Sequence, residues 1–150
     1  MKDKNKMLKL AFHLEDSWGG VETENMWVEL TDDKKLKIMN SPFYVTGVSY
    51  LDKVDYFVEE DRLFFLKVLE KSGHSTYRIL LPKKKNIDKF ELYWKPIEKL
   101  GCTYESNMNV NALYSVDVPP EVDIKKVYSF LEIGERDEIW GFEEADYSRV

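Results

Sequence analysis

One cysteine and two histidines are all the thiol and imidazole groups that 150 residues offer as metal ligands or nucleophiles. The single Cys102 excludes an internal disulfide framework and suits a reducing compartment; such a thiol reads first as a small core hydrophobe and only then as a nucleophile. With no H-x-x-x-H, C-x-x-C or calcium-loop spacing, the sequence encodes no metal site. Phosphate-cradling glycine patterns are missing too: neither G-x-x-x-x-G-K-[ST] nor G-x-G-x-x-G surrounds Gly19, Gly20 or Gly47, which read as turn glycines, and no nucleotide or other cofactor is expected. Long apolar runs are lacking, so nothing approaches the roughly 20 residues of a membrane span. Met7 to Leu14 is too short, and too broken by Lys9 and His13, for a signal-peptide core. A cytoplasmic protein is expected.

Positive charge is also scarce. Twenty-two Lys and Arg stand against 28 Asp and Glu, for a net charge of −6. A surface of that sign cannot neutralise phosphates, which argues against nucleic acid and makes a basic protein the natural partner. The Lys83-Lys84-Lys85 run is too short for a nucleic-acid arm and reads as a solvated connection.

Aromatic residues, by contrast, are plentiful. Nine Tyr, eight Phe and four Trp exceed what a core of this size requires, and Tyr and Trp favour interfaces. The length suits one hydrophobic core that needs no staple.

The first half is written in period two, the side-chain repeat of a strand. Leu8, Leu10, Phe12 and Leu14 alternate with Lys9, Ala11 and His13; runs at Met26 to Leu30, Leu36 to Met39 and Phe43 to Val48 follow, with turns between them. Val54 to Val58 and Leu63 to Leu69, around the acidic turn Glu59-Glu60-Asp61, predict a hairpin. Several short strands without a helix predict a small barrel or a strongly bent sheet.

The second half changes period. Thr76 to Leu81 reads as a strand, and Ile87, Phe90, Trp94, Ile97 and Leu100 then recur at helical spacing up to Gly101, with Pro96 set to kink that helix. Strands are predicted at Cys102 to Ser106 and Ala112 to Val118. A second helix starts at the cap Asp123, buries Ile124, Val127, Tyr128 and Leu131, and stops at Gly134. A last strand covers Ile139 to Glu143. The resulting order, β-α-β-β-α-β, is the ferredoxin-like arrangement. The fold class expected is therefore α+β, a single compact unit whose β-rich lobe (about 1–73) packs on a ferredoxin-like lobe (74–150).

Four segments carry a resemblance. Glu24-x-x-Trp27-Val28, Asn40-x-Pro42-Phe43-x-x-x-Gly47-Val48-Ser49-Tyr50-x-Asp52-x-Val54, Ser72-Gly73-His74-Ser75-Thr76-x-Arg78 and Gly101-Cys102-x-x-Glu105 together resemble a bacterial family known as domain of unknown function four-two-six-five, over roughly residues 22 to 145. The resemblance implies a bacterial, single-domain protein and brings no reaction with it.

Ser72 to Arg78 is where groups able to move a proton or hold an anion crowd together. His74 could serve as a general base, with Ser75 beside it and Arg78 gripping a carboxylate or phosphate. In the same picture Ser72, Thr76 and Glu105 complete a ligand site, and one inward-facing acid, from Glu105 or from Glu143 and Glu144 on opposite faces of the last strand, could pair with Arg78 across the sheet, a pairing that is commonly structural. The competing reading is a lobe junction in which these groups satisfy one another and the turn. Strand alternation puts Thr76 and Arg78 on one face and Tyr77 on the other.

From Glu121 onward nine acidic residues face four basic ones, a bias that speeds association with a cationic surface. Glu135, Asp137, Glu138 and Trp140 are the expected contact residues. The leading expectation is a non-enzymatic binding protein of the immunity or antidote type, neutralising a basic toxin such as a nuclease. The alternative is a small enzyme or small-ligand binder built on Ser72 to Arg78.

Overall fold

The computed structural model describes residues 6–18, 21–82, 87–107 and 112–148. The expected turn at Gly19-Gly20 and the Lys83-Lys84-Lys85 connection lie outside them. The architecture is α+β: a closed five-stranded barrel followed by a four-stranded sheet with two helices.

The barrel is made by β1 (Met7–Trp18), β2 (Val21–Leu30), β3 (Leu36–Ile38), β4 (Lys53–Glu59) and β5 (Arg62–Glu70) in sequence order. Each strand runs antiparallel to the one before. Five alternating strands leave the first and last pointing the same way, so the ring closes through a parallel pair, Leu10 beside Leu63 and Ala11 beside Phe64. Period-two alternation delivers the core: Leu10, Phe12, Met26, Val28, Leu36, Ile38 and Val54 are buried inside. Glu60 and Asp61 turn the β4–β5 hairpin with φ of 50° and 63°, the two positive values of a tight two-residue hairpin turn.

The expected strand at Phe43 to Val48 does not form; residues 39–52 are instead a long β3–β4 loop. The reason is Glu24 on β2. Its Oε2 accepts the Phe43 N–H at 2.7 Å, and its Oε1 accepts those of Tyr44 and Val45 at 3.0 and 2.9 Å. A carboxylate thus takes the donors that a neighbouring strand would have taken.

The second half runs β6 (Ser75–Leu81), α1 (Ile87–Leu100), β7 (Thr103–Asn107), β8 (Ala112–Val118), α2 (Ile124–Arg136) and β9 (Gly141–Asp146). The sheet order is β7-β8-β6-β9 with all neighbours antiparallel. One face carries Tyr77, Ile79, Leu81, Tyr114, Val116 and Val118 into a core with Phe90, Trp94 and Ile97 of α1 and Val127 and Leu131 of α2. Burying each such side chain contributes about 1.5 to 3 kcal/mol. The alternate positions Thr76, Arg78, Ser115 and Asp117 lie on the opposite face, are also buried, and meet the barrel's β3–β4 loop.

Local signals explain the helices, with two corrections. Asp123 caps α2 by accepting the N–H groups of Lys125 and Lys126. Gly134, however, lies inside α2, and the helix ends at Arg136. Tyr128 is 43% exposed rather than buried, its ring meeting Tyr77 and Phe142 at the edge of the core. The chain then turns Ile139 and Trp140 back into the core, and the last strand begins at Gly141, two residues later than the pattern suggested.

Candidate functional site

The Ser72 to Arg78 segment lies where the polar face of the sheet meets the barrel. Its side chains are held by residues of the β3–β4 loop, of β8 and of β9 with the residues just after it. The Ser72 hydroxyl donates to Tyr50 O at 2.6 Å and accepts the His74 N–H at 3.1 Å. Ser49 Oγ donates to Asp146 at 2.7 Å and lies 2.7 Å from Thr76 Oγ1; because Ser49 has one proton and spends it on the carboxylate, Thr76 is the donor in the second bond. Lys71 Nζ bridges Asp52 and Asp146 at 2.6 Å each. Asp52 also accepts the N–H groups of Ser49 and Ser72. Burial pulls the Lys71 ammonium down, but its bonds to Asp146 and Asp52 outweigh this and leave its pKa raised.

Arg78 is 4% exposed. Its Nε donates to Glu143 and its Nη1 to Val45 O, both at 2.8 Å, so the guanidinium staples β9 and the loop to β6. Glu105 does not pair with it. Glu105 is exposed on the edge strand β7, and its Oε2 accepts the Ser41 N–H at 2.6 Å. Arg78 lies between the two acids across the strands, with Ser115 and Glu105 on one side and Glu143 on the other. Ser75 is fully buried and its Oγ accepts the Ser148 N–H at 3.0 Å; it does not stand beside His74 as a nucleophile would.

His74 has a partner that the sequence did not reveal. Its Nδ1 lies 2.8 and 3.1 Å from the two oxygens of Asp117 on β8, and its ring meets Tyr50 edge-on at 5.3 Å. Burial pushes the Asp117 carboxyl above the usual carboxylate range, against the lowering contact of His74. Asp117 forms part of a cleft of about 270 Å³ between the loop and the β7–β8 edge, with Met39, Asn40, Ser41, Tyr50, Glu105 and Ser115 among its walls. One signal could have found it: in Ala112–Val118, Ser115 and Asp117 interrupt an otherwise apolar strand at alternate positions.

The acidic residues expected to meet a partner separate into two kinds. Glu135, Asp137 and Glu138 are exposed at the C-terminal end of α2, where Tyr93 donates to Asp137 at 2.9 Å. Trp140, expected beside them, is 3% exposed and belongs to the core. Its Nε1 donates to Leu131 O at 2.9 Å, which satisfies the one polar atom of the indole in place. Among the described residues no group of three or more His, Cys, Asp or Glu is placed to hold a metal ion. No described helix is long and apolar enough to cross a membrane.

The barrel, the sheet and the joint between them now have a family. The chain belongs to the family described as "Domain of unknown function (DUF4265)", whose model matches residues 24–142, and the motif residues Glu24, Ser49, Tyr50, Asp52, Ser72 and Arg78 are those that build the joint. A solved structure described as "Novel crystal structure of a hypothetical protein from Neisseria gonorrhoeae" is similar to it over 100% of both chains, with a TM-score of 0.77 at 19% identity, which shows a common fold. No curated protein matches the chain at a significant level.

Proposed function

We propose that this chain is a non-enzymatic binding protein of the immunity or antidote type, acting in the cytoplasm on a basic partner such as a toxic nuclease. The observation that carries the reading is how the Ser72 to Arg78 groups are used: Thr76 and Arg78 are hydrogen-bonded across the joint to Ser49 and Val45, and Ser72 and Ser75 are bonded beside it to Tyr50 O and the Ser148 N–H, which leaves them as architecture. The acidic end of α2, with Glu135, Asp137 and Glu138 in water, supplies a surface of the right sign for a cationic partner. We also read the second half as ferredoxin-like, supported by its element and strand orders. The two halves are taken as one unit on the strength of the bonds crossing between them.

Co-expression tests the reading. A basic toxin encoded beside this chain is expressed with the native protein, with a triple variant carrying Glu135→Lys, Asp137→Lys and Glu138→Lys, and with His74→Ala. Growth rescue by the native chain and by His74→Ala, lost in the folded triple variant, supports it. Rescue lost only in His74→Ala moves the function to the joint, and no rescue at all removes the antidote reading. The alternative, a small enzyme or ligand binder at the joint, is favoured by one feature, the His74 and Asp117 pair beside a cleft.

A further inference from the structure

The Asp117 side chain is 13% exposed, and among the described residues the side-chain donor that reaches it is His74 Nδ1, shared between its two oxygens. A carboxylate has about four acceptor positions, and a buried one served by a single N–H is short of partners. It lies in the wall of the cleft between the β3–β4 loop and the β7–β8 edge. Asp117 is opposite Thr103 and Glu105 opposite Ser115, so the two carboxylates are diagonal neighbours on one face, roughly 7 to 8 Å apart at Cα. Tyr50 adds an aromatic ring and Met39 a thioether, and no Lys, Arg or His is among the cleft's lining residues. At about 270 Å³ the space is below the range of roughly 300 to 1,000 Å³ usual for larger ligands, and suits a single side chain or a molecule of that size.

We propose that this cleft binds a guanidinium group, held between the carboxylates of Asp117 and Glu105 and against the ring of Tyr50. A planar fork of N–H donors matches two acceptors better than a point charge does, and its flat face stacks on an aromatic ring. The group can come from a free small guanidine or from an arginine of a protein partner. The site lies on a surface that the α2 reading does not use, and its test needs no toxin, so either proposal can fail alone.

The full chain is titrated with N-acetyl-arginine amide and with the uncharged N-acetyl-citrulline amide, followed by amide chemical shifts and calorimetry. The arginine compound is expected to shift the amides of Ser41, Glu105, Ser115 and Asp117, and the citrulline compound to leave them in place. Glu105→Gln, which keeps an acceptor for the Ser41 N–H, and Asp117→Asn should each weaken binding by about fivefold or more; thermal melting confirms that both are folded, and Glu105→Gln decides alone if Asp117→Asn is not. Agmatine and a Gly-Gly-Arg-Gly-Gly peptide separate the sources: tighter binding of the peptide assigns the site to a partner's arginine, tighter binding of agmatine to a free guanidine. Equal binding of the arginine and citrulline compounds, shifts mapping elsewhere, or undiminished affinity in Glu105→Gln overturns the proposal.

Discussion

Gly134 and Trp140 occupy a single space: a Cβ on Gly134 would overlap Cε2, Nε1 and Cζ2 of the Trp140 indole. This close approach is why a glycine sits within α2. Gly134→Ala should therefore destabilise the protein by about 1 to 3 kcal/mol through overpacking, although alanine is the better helix former by roughly 1 kcal/mol. Chemical unfolding measures it, and a gain in stability would show that the indole can move aside.

Glu24 accepts three consecutive backbone N–H groups of the β3–β4 loop while 8% exposed. Glu24→Ala strands those donors, at about 1 to 3 kcal/mol for each one left without a partner. Loss of stability is expected with faster amide exchange at Phe43, Tyr44 and Val45. Unchanged exchange there would mean that other groups hold the loop.

Asp117 has a carboxyl whose pKa is raised by burial, with the His74 contact opposing the rise. The folded protein thus holds this proton more tightly than the unfolded chain. The group favours folding most below the ordinary aspartate pKa, and that contribution is lost as pH rises through the folded value. Asp117→Asn keeps an acceptor for His74 and removes the buried charge, so it should be more stable than the native protein at neutral pH, with the difference shrinking as pH falls toward about 4. Urea unfolding at the two pH values checks this; a variant less stable at neutral pH would show that the His74 bond outweighs burial.

Cys102 is 2% exposed beside the core at the end of α1. Thiol labelling of the native protein should be much slower than labelling of the denatured chain, because reaction waits on opening of the structure. Equal rates would return Cys102 to the list of nucleophiles.

What could be read from the sequence were features whose cause is local. The alternation of Leu10 and Phe12, the acidic hairpin turn, the Asp123 cap and the face of Val127 and Leu131 all depend on neighbours within a few residues. What could not be read were features decided by a distant group. Phe43 to Val48 has the composition of a strand, but Glu24 takes its N–H groups from about twenty residues away. Gly134 resembles a helix stop because the turn that folds Trp140, six residues on, back against its bare face is set by the core. The joint was half legible: Ser72 to Arg78 stood out as a cluster, and strand alternation placed Thr76 and Arg78 on one face. An acid reaching Arg78 across the sheet was legible too, with Glu143 filling that place while Glu105 holds Ser41; the partners Ser49, Val45 and Asp117 come from two other parts of the chain and were not.

Closing the barrel through its first and last strands has a consequence in time as well as in space. The hairpins of β1 with β2 and β4 with β5 join residues near in sequence and can form early, whereas the seam between Leu10 and Leu63 must bring together positions about fifty residues apart, and so closes late. Among the described residues the seam consists of two residue pairs, as does the β3–β4 pairing, against eight between β1 and β2. It is the latch of the ring, the last joint to fasten.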